Sequence, residues 1–257
     1  MTGHGDAPGL YLLFETGTRP DFDALEDMLS RVPSLKVSHT ATAYRPAAEA
    51  DVQDGAIHWA ELLRDGLIFD LVGLAPGPPM PPLEFANRFD VGGAFSPLSK
   101  SAVTLWPGSH LSGAENSLPV IRTLLATASD IVKAHDGMAS LGWASSSALI
   151  GPGYFTKTVD GWLDGGPFPA LGLVAFRSAV DGALESVGLS FFTGQELRIE
   201  GELGHDRVAA TRLAVRLVNE LVGAAPVESE LPFIGPGGKK LRMEPSANGR
   251  FVRVWEI

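Results

Sequence analysis

The sequence of 257 residues contains no cysteine. This absence excludes disulfide bonds, thiolate nucleophiles and zinc sites built from cysteine ligands. Long apolar runs are also lacking, because no stretch approaches the roughly 18 residues that a membrane-spanning helix needs. The first nine residues contain neither a basic nor an apolar segment, so the sequence predicts no signal peptide. We therefore expect a cytoplasmic protein without membrane insertion.

Basic residues are scarce relative to acidic ones. The chain has 20 lysines and arginines against 30 aspartates and glutamates, which gives a net charge of -10. A surface of this charge repels phosphate backbones and anionic lipids, so we expect binding to neither nucleic acid nor membranes. Hydrophobic residues make up 45% of the chain, enough for the core of one large domain or two small ones.

The chain opens with the pattern strand, helix, strand. Residues 10–14 form an apolar run of strand length. Thr18 and Asp21 have the spacing of a helix capping box, and apolar residues then recur at helical intervals as far as Val32. Residues 35–44 are predicted to return as a strand.

Two longer helices are predicted further along the chain. One begins after Ser117 and stops at Gly137, and the other runs from about His205 to Val222. Several strands bounded by turn residues accompany them. These patterns predict an α+β fold, with a mixed, mostly antiparallel sheet or sheets on which three main helices pack.

A proline- and glycine-rich stretch at residues 75–82 divides the chain. We expect residues 1–74 to form a strand–helix–strand unit with a hairpin and residues 75–100 to form an extended connector. Residues 101–257 would then form the main α+β domain. A single continuous domain is the alternative.

Three dipeptides predict hairpin turns, since Asp-Gly and Asn-Gly tolerate the positive φ of tight turns. They are Asp65-Gly66, Asp181-Gly182 and Asn248-Gly249. For the first, the alternative is a helix over residues 57–64 that ends at Gly66. The second is expected to place Arg177 and Ser186 together on a face of small residues.

The first turn, if it is a two-residue hairpin, sets Glu61 directly opposite Asp70. Like charges at this separation repel each other unless one carboxyl is protonated or a cation lies between them. With His58 near in sequence, the carboxylate pair could perform acid–base chemistry. An exposed face or a different register would leave the pair without a function.

Linear motifs for metals, nucleotides and activated nucleophiles are lacking. No two of the six histidines lie within four residues of each other, which excludes helical metal-ligand pairs. The glycine-rich segments at 151–153 and 235–240 depart from phosphate-binding loops, and the serines at 145–147 have no identifiable base. We therefore expect neither a metal nor a cofactor.

The third turn sets Glu244 opposite Arg253 and Arg242 opposite Trp255, as an ion pair and a cation–π pair. Phe251 is then on the same side of the hairpin as Arg242, Arg253 and Trp255. Arginine and aromatic residues are frequent anchors of protein interfaces, so these four residues form a candidate partner-binding surface. The alternative is that this face packs on a helix of the same chain.

The order of elements in the middle of the chain resembles a known family. A strand at 102–106, a polar turn with His110 and a long helix precede a strand that contains Trp143. A short motif follows, made of Gly188, Leu189, Phe192, Gly194, Glu196 and Leu197. Over residues 55–222, this arrangement is similar to the bacterial family of domains of unknown function numbered 4261. The resemblance implies an α+β bacterial cytoplasmic protein and assigns no residue roles.

Two classes of function agree with these observations. We favour a non-catalytic protein-interaction factor, such as an immunity, adaptor or secretion-associated protein, because no catalytic or cofactor motif is recognised. The alternative is an enzyme or binding protein for a small polar ligand, with Arg177 acting beside carboxylates. The candidate carboxylates are Glu61, Asp70, Glu185 and Glu196.

Overall fold

The computed structural model describes residues 9–44, 56–81, 83–92 and 96–257. These residues form an α+β fold with two mixed, mostly antiparallel sheets of eight and six strands, as the sequence predicts. The chain divides into two compact units. Unit 1 contains residues 1–144 and 148–166, and unit 2 contains residues 145–147 and 167–257.

The described residues of unit 1 form the eight-stranded sheet and three α-helices. Its strands are β1 (Leu10–Phe14), β2 (Lys36–Tyr44), β3 (Ala56–Arg64), β4 (Leu67–Leu74), β5 (Asn87–Phe89), β6 (Ser101–Pro107), β7 (Met138–Trp143) and β8 (Ala148–Ile150). Its helices are α1 (Phe22–Leu29), α2 (Leu118–Ala134) and α3 (Pro152–Leu163). The strand order is β2-β3-β4-β6-β1-β7-β8-β5, and only the β5–β8 pair is parallel among these neighbours.

The helices of unit 1 lie on one face of its sheet. Alternate residues of β3 identify that face, because successive strand residues point to opposite sides. His58 stacks on Phe22 of α1, and Arg64 binds Asp130 of α2 at 2.5 Å. Leu62, which has the same parity, is fully buried. The even-numbered residues of β3 therefore face the helices.

Among the described residues, side chains that precede β6 cover the centre of the other face of this sheet. There Tyr11 and Leu13 pack with Met80, Phe85 and other side chains that precede β6. Gly142 lies beneath this layer, and a Cβ atom at that position would lie 2.1 Å from Cζ of Phe85. The proline-rich stretch and the residues after it thus pack against the sheet.

The part of this face that lies on β3 and β4 is partly exposed. We call it the open face. It consists of Ile57, Trp59, Glu61, Leu63, Ile68, Asp70 and Val72.

The expected connector at 75–100 does not separate two parts of the fold. β1 lies between β6 and β7, so the N-terminal strand shares a sheet with strands that follow the connector. The chain divides instead near residue 166. Antiparallel pairing between β1 and β6, which are distant in sequence, produces this difference.

Unit 2 contains the six-stranded sheet and four helices. Its strands are β9 (Ala175–Ser178), β10 (Leu184–Val187), β11 (Glu196–Ile199), β12 (Leu231–Ile234), β13 (Lys240–Pro245) and β14 (Phe251–Glu256). Its helices are α4 (Ala170–Leu173), α5 (Ser190–Thr193), α6 (Gly201–Gly204) and α7 (Arg207–Leu221). The strand order is β12-β13-β14-β11-β10-β9, with β11 and β14 parallel. Helix α7 packs on one face through buried Ala210, Leu213 and Leu217.

The three predicted helices are present as α1, α2 and α7, and the structure has a further helix, α3, that the sequence pattern did not predict. The predicted cap of the first helix is wrong by three residues. Asp21, rather than Thr18, caps α1, because its carboxylate accepts a hydrogen bond from the backbone N–H of Ala24. Thr18 instead donates its hydroxyl to the carbonyl of Glu15.

The first predicted hairpin is confirmed, and the helical alternative for residues 57–64 is wrong. Asp65 and Gly66 both have positive φ, 50° and 80°, as a two-residue turn requires. Arg64 pairs with Leu67 across the turn.

The second predicted hairpin exists in a different register. Arg177 pairs with Glu185 and not with Ser186, because three residues rather than two form the loop between Ala179 and Ala183. A shift of one residue exchanges the two faces of a strand. The predicted face of small residues around Arg177 is therefore wrong, and a charged pair lies there.

Candidate functional sites

The predicted carboxylate pair lies at the centre of the open face. Glu61 of β3 and Asp70 of β4 are directly opposite each other. On the outer sides of this pair, His39 of β2 is opposite Glu61, and Trp106 of β6 is opposite Asp70. A row of four polar and aromatic residues therefore crosses four neighbouring strands.

The charges of this pair are poorly compensated. Burial and the charge of Glu61 raise the pKa of Asp70 above its ordinary value, while His110 opposes the rise. Ser38 donates a long hydrogen bond of 3.5 Å to Oε2 of Glu61. Within the described part of the chain, neither carboxylate has a lysine or arginine partner. The site therefore has an excess of negative charge.

His58 does not join this pair. It lies on the opposite face of the sheet, where its ring stacks on Phe22 with a centroid distance of 5.3 Å. Three residues separate His58 from Glu61, and an odd separation places strand residues on opposite faces. The histidines near the pair are His39, by strand register, and His110.

Two aromatic residues near the carboxylate pair, one on the open face and one beside it, were not predicted from the sequence. Trp59 precedes Glu61 by two residues on the same face, and its ring meets the ring of His39 edge-on at 5.6 Å. Trp106 contacts Tyr11 edge-on at 5.7 Å. The signal for Trp59 was its parity with Glu61. The position of Trp106 depends on the pairing of β4 with β6, which no local pattern reveals.

Unit 2 contains a different charged row, made of arginines and carboxylates that neutralise one another. In strand order it consists of Arg177, Glu185, Arg198, Arg253 and Glu244. Arg177 binds Oε2 of Glu185 at 3.0 Å, and Arg198 binds the other oxygen of the same carboxylate. Arg177 is thus paired with one of its predicted carboxylates.

The two neighbouring arginines of this row share one anion. Glu200 accepts from Nε of Arg198 at 3.2 Å and from Nε of Arg253 at 2.6 Å. Asp181 binds Arg198 as well. Burial alone would lower the pKa of Arg198, but Glu185, Glu200 and Asp181 raise it. The ion pairs of this row, together with Glu200 and Asp181, link four strands, β9, β10, β11 and β14.

The predicted register of the C-terminal hairpin is confirmed, because Glu244 pairs with Arg253 and Arg242 pairs with Trp255. The side chains of Arg253 and Arg242, however, interact with residues other than those directly opposite them. The guanidinium of Arg253 lies 4.3 Å from the ring centroid of Trp255, and the indole N–H donates to Glu244 at 3.0 Å. Arg242 binds Glu230 at 3.3 Å. The predicted cation–π pair is therefore made by Arg253 and not by Arg242.

The four candidate partner-binding residues of this hairpin share the face that α7 does not cover. Val252 and Val254 alternate with them and are buried on the other face, in register with Leu197 and Ile199 of β11. Helix α7 packs on that second face. Phe251, Arg253 and Trp255 are each partly exposed.

The short motif that carries the family resemblance has a structural explanation. The carboxylate of Glu196 accepts hydrogen bonds from the hydroxyls of Ser186 and Ser190 and from the backbone N–H groups of residues 188, 189 and 190. Gly188 has a φ of 91°, and a Cβ there would lie 2.8 Å from the carbonyl oxygen of Ser145. Gly194 ends α5 in the left-handed conformation. These residues build a turn.

Neither described cavity is lined by residues of the charged row in its own unit. One of about 400 Å³ lies between α1 and the start of β2, and one of about 460 Å³ lies along α7. Among the described residues, no three His, Asp or Glu side chains are grouped to hold a metal. Nor is any helix of that part of the chain long and apolar enough to cross a membrane. Ser146, in the predicted serine cluster, is buried and donates to the carbonyl of Gly172.

Comparison of the chain with protein-family models, curated proteins and solved structures finds no match. The resemblance to the bacterial family named above therefore stays a prediction.

Proposed function

We propose that the protein is a non-catalytic binding protein whose open face receives a basic, partly apolar segment of a protein partner. The observation that carries this proposal is the opposition of Glu61 and Asp70 without a lysine or arginine partner in the described residues. A cation placed between two opposed carboxylates relieves their repulsion and gains an attraction to both. An incoming arginine or lysine side chain supplies that cation.

The contrast with unit 2 supports this choice of site. Glu185 and Glu200 each bind two arginines of their own chain, so they have little charge left for a ligand. Glu61 and Asp70 have no such arrangement. Among the described residues, the carboxylates of the row on the open face have no lysine or arginine partner, whereas those of the other row that bind Arg198 are paired.

Apolar side chains around the carboxylates favour a protein partner. Trp59 and Leu63 flank Glu61 along β3, and Ile68 and Val72 flank Asp70 along β4. A central charged contact surrounded by aromatic and aliphatic residues is typical of the anchor regions of protein interfaces. The net charge of -10 attracts basic partners over long distances. An exposed sheet face also suits a macromolecule better than a small substrate.

We place this binding function in the bacterial cytoplasm, in an immunity, adaptor or secretion-associated role. The family resemblance and the acidic surface support that setting. The hairpin residues Arg242, Phe251, Arg253 and Trp255 remain a second predicted surface. Its arginines and indole already bind carboxylates of unit 2, which makes it the weaker candidate.

Selection from a random peptide library tests the proposal. The library is selected on the wild-type protein after depletion on the double variant Glu61→Gln, Asp70→Asn. We expect the retained peptides to contain arginine or lysine beside apolar residues and to bind the double variant at least tenfold more weakly.

A matched control removes the same net charge elsewhere, through Glu202→Gln and Glu228→Gln on exposed parts of unit 2. The selected peptides should bind this control as they bind the wild type. Retained peptides without basic residues, or equal losses in both double variants, would overturn the proposal.

A further inference from the structure

A cavity of about 460 Å³ lies along the outer side of α7, and we call it the α7 groove. It is lined by Leu171, Arg207, Val208, Thr211, Arg212 and Val215. Val208, Thr211 and Val215 recur at helical spacing and form one side of the helix. This side of the helix is separate from the buried stripe that packs on the sheet. Val208 is 60% exposed, so the groove presents apolar surface to solvent.

The groove is bordered by two arginines that lack an ion-pair partner in the described residues, Arg207 and Arg212. The next arginine of the helix, Arg216, binds Glu220 at 2.9 Å. Acidic residues outnumber basic ones in this chain by 30 to 20, so most arginines are expected to have an acidic neighbour, yet these two form no ion pair within the described residues. Their positive charges are available to a ligand.

The position of Arg207 strengthens this point. It occupies the first turn of α7, where the helix dipole disfavours a cation. Asp206 caps the helix and accepts from the N–H groups of Val208 and Ala209, so the backbone donors there are already occupied. The side chains of Arg207 and Arg212 are therefore the groups that would bind an anion, rather than the helix terminus.

We infer that the α7 groove binds a small amphipathic anion, with a compact apolar body and a carboxylate, sulfonate or phosphate group. The volume of the groove is within the range of about 300–1,000 Å³ that small-molecule sites occupy. Leu171, Val208 and Val215 cover the apolar body, and the two arginines bind the anionic group. This site belongs to unit 2 and does not depend on the proposed binding of a basic partner.

Two fluorescent probes of similar shape test the inference. One is 8-anilinonaphthalene-1-sulfonate, which is anionic, and the other is N-phenyl-1-naphthylamine, which lacks the sulfonate. We expect the wild type to bind the anionic probe at least tenfold more tightly. The double variant Arg207→Ala, Arg212→Ala should bind the anionic probe at least tenfold more weakly than the wild type does. Its affinity for the neutral probe should fall less than threefold.

Val208→Asp introduces a negative charge into the groove at an exposed position, so the fold should tolerate it, as circular dichroism will verify. It should abolish the groove-dependent binding of both probes. Arg216→Ala, on the same helix but outside the groove, is the matched control and should change neither affinity.

Equal binding of the anionic probe to the wild type and to the double arginine variant would overturn the inference. So would an arginine-dependent site that binds an acidic amphipathic peptide and neither probe. The Glu61→Gln, Asp70→Asn variant should bind the anionic probe with the affinity of the wild type. This result would show that the α7 groove and the open face are independent sites.

Discussion

Glu61 and Asp70 are directly opposed on neighbouring antiparallel strands, and the pKa of Asp70 is raised by burial and by the charge of Glu61. The folded protein therefore retains a proton on Asp70 at pH values at which the unfolded chain has lost it. By linkage, this carboxyl makes folding less favourable as the pH rises above its ordinary pKa of 3.8. The pair lowers stability at neutral pH.

The Asp70→Asn variant should consequently be more stable than the wild type at pH 7. Removal of one charge from a directly opposed cross-strand pair is worth roughly 0.2–1 kcal/mol. The gain should shrink as the pH falls toward 3.8, where Asp70 of the wild type is protonated in the folded state. Urea unfolding at several pH values measures this. If the Asp70→Asn variant gained stability equally at every pH, or was less stable than the wild type at pH 7, the two carboxylates would not repel each other as described.

The ion-pair network of unit 2 should respond very differently to the loss of each arginine. Arg198 contacts Glu185 and Glu200, whose side chains are only 11% and 9% exposed, so Arg198→Ala leaves two nearly buried carboxylates without this cation. Breaking a buried pair costs about 3–5 kcal/mol when the remaining charge is left alone, and because Arg177 and Arg253 still bind the two carboxylates, the loss should reach only the lower end of that range.

Arg177→Ala is the control, because Arg177 binds the same Glu185 through a side chain that is 65% exposed. Exposed pairs contribute less than about 1 kcal/mol. The free energies of unfolding of both variants, measured in urea, should show a larger loss for Arg198→Ala than for Arg177→Ala. Similar losses for the two arginines would show that Arg198 is not the centre of the network.

Glu196→Gln should destabilise unit 2, although glutamine has the same size. Its amide offers one acceptor oxygen, whereas the carboxylate accepts from both serine hydroxyls and three backbone N–H groups. Loss of charged hydrogen bonds at this turn should cost roughly 1.5–3 kcal/mol. Hydrogen exchange at residues 188–190 should accelerate selectively. Unchanged exchange there would mean that the turn does not need Glu196.

The strand register was predicted correctly from the sequence where a single turn determines the pairing of a hairpin. The dipeptide at Asp65-Gly66 led correctly to the opposition of Glu61 and Asp70. The hairpin near Asn248 also has the predicted register, although only Gly249 of that dipeptide has a positive φ. Its loop is four residues long, which leaves the pairing unchanged.

Sequence reasoning failed where distant strands or a loop of different length decided the contacts. One additional loop residue after Ala179 moved Arg177 from Ser186 to Glu185. Arg253 binds Glu200 rather than its predicted partner Glu244, because parallel pairing of β14 with β11 places Glu200 within hydrogen-bonding distance. His58 was predicted to lie near Glu61 because the two are close in sequence. Side chains alternate along a strand, so the two residues lie on opposite faces of the sheet.

Nuclear magnetic resonance tests the claim that the open face recognises a basic side chain. Blocked tripeptides Leu-Arg-Leu and Leu-Gln-Leu are titrated separately into the isotopically labelled protein. We predict saturable shifts of the backbone amides of β3 and β4 with the arginine peptide. The glutamine peptide and the Glu61→Gln, Asp70→Asn variant should give no saturable shifts there. Equal shifts with both peptides, or arginine-dependent shifts confined to β13 and β14, would contradict the claim.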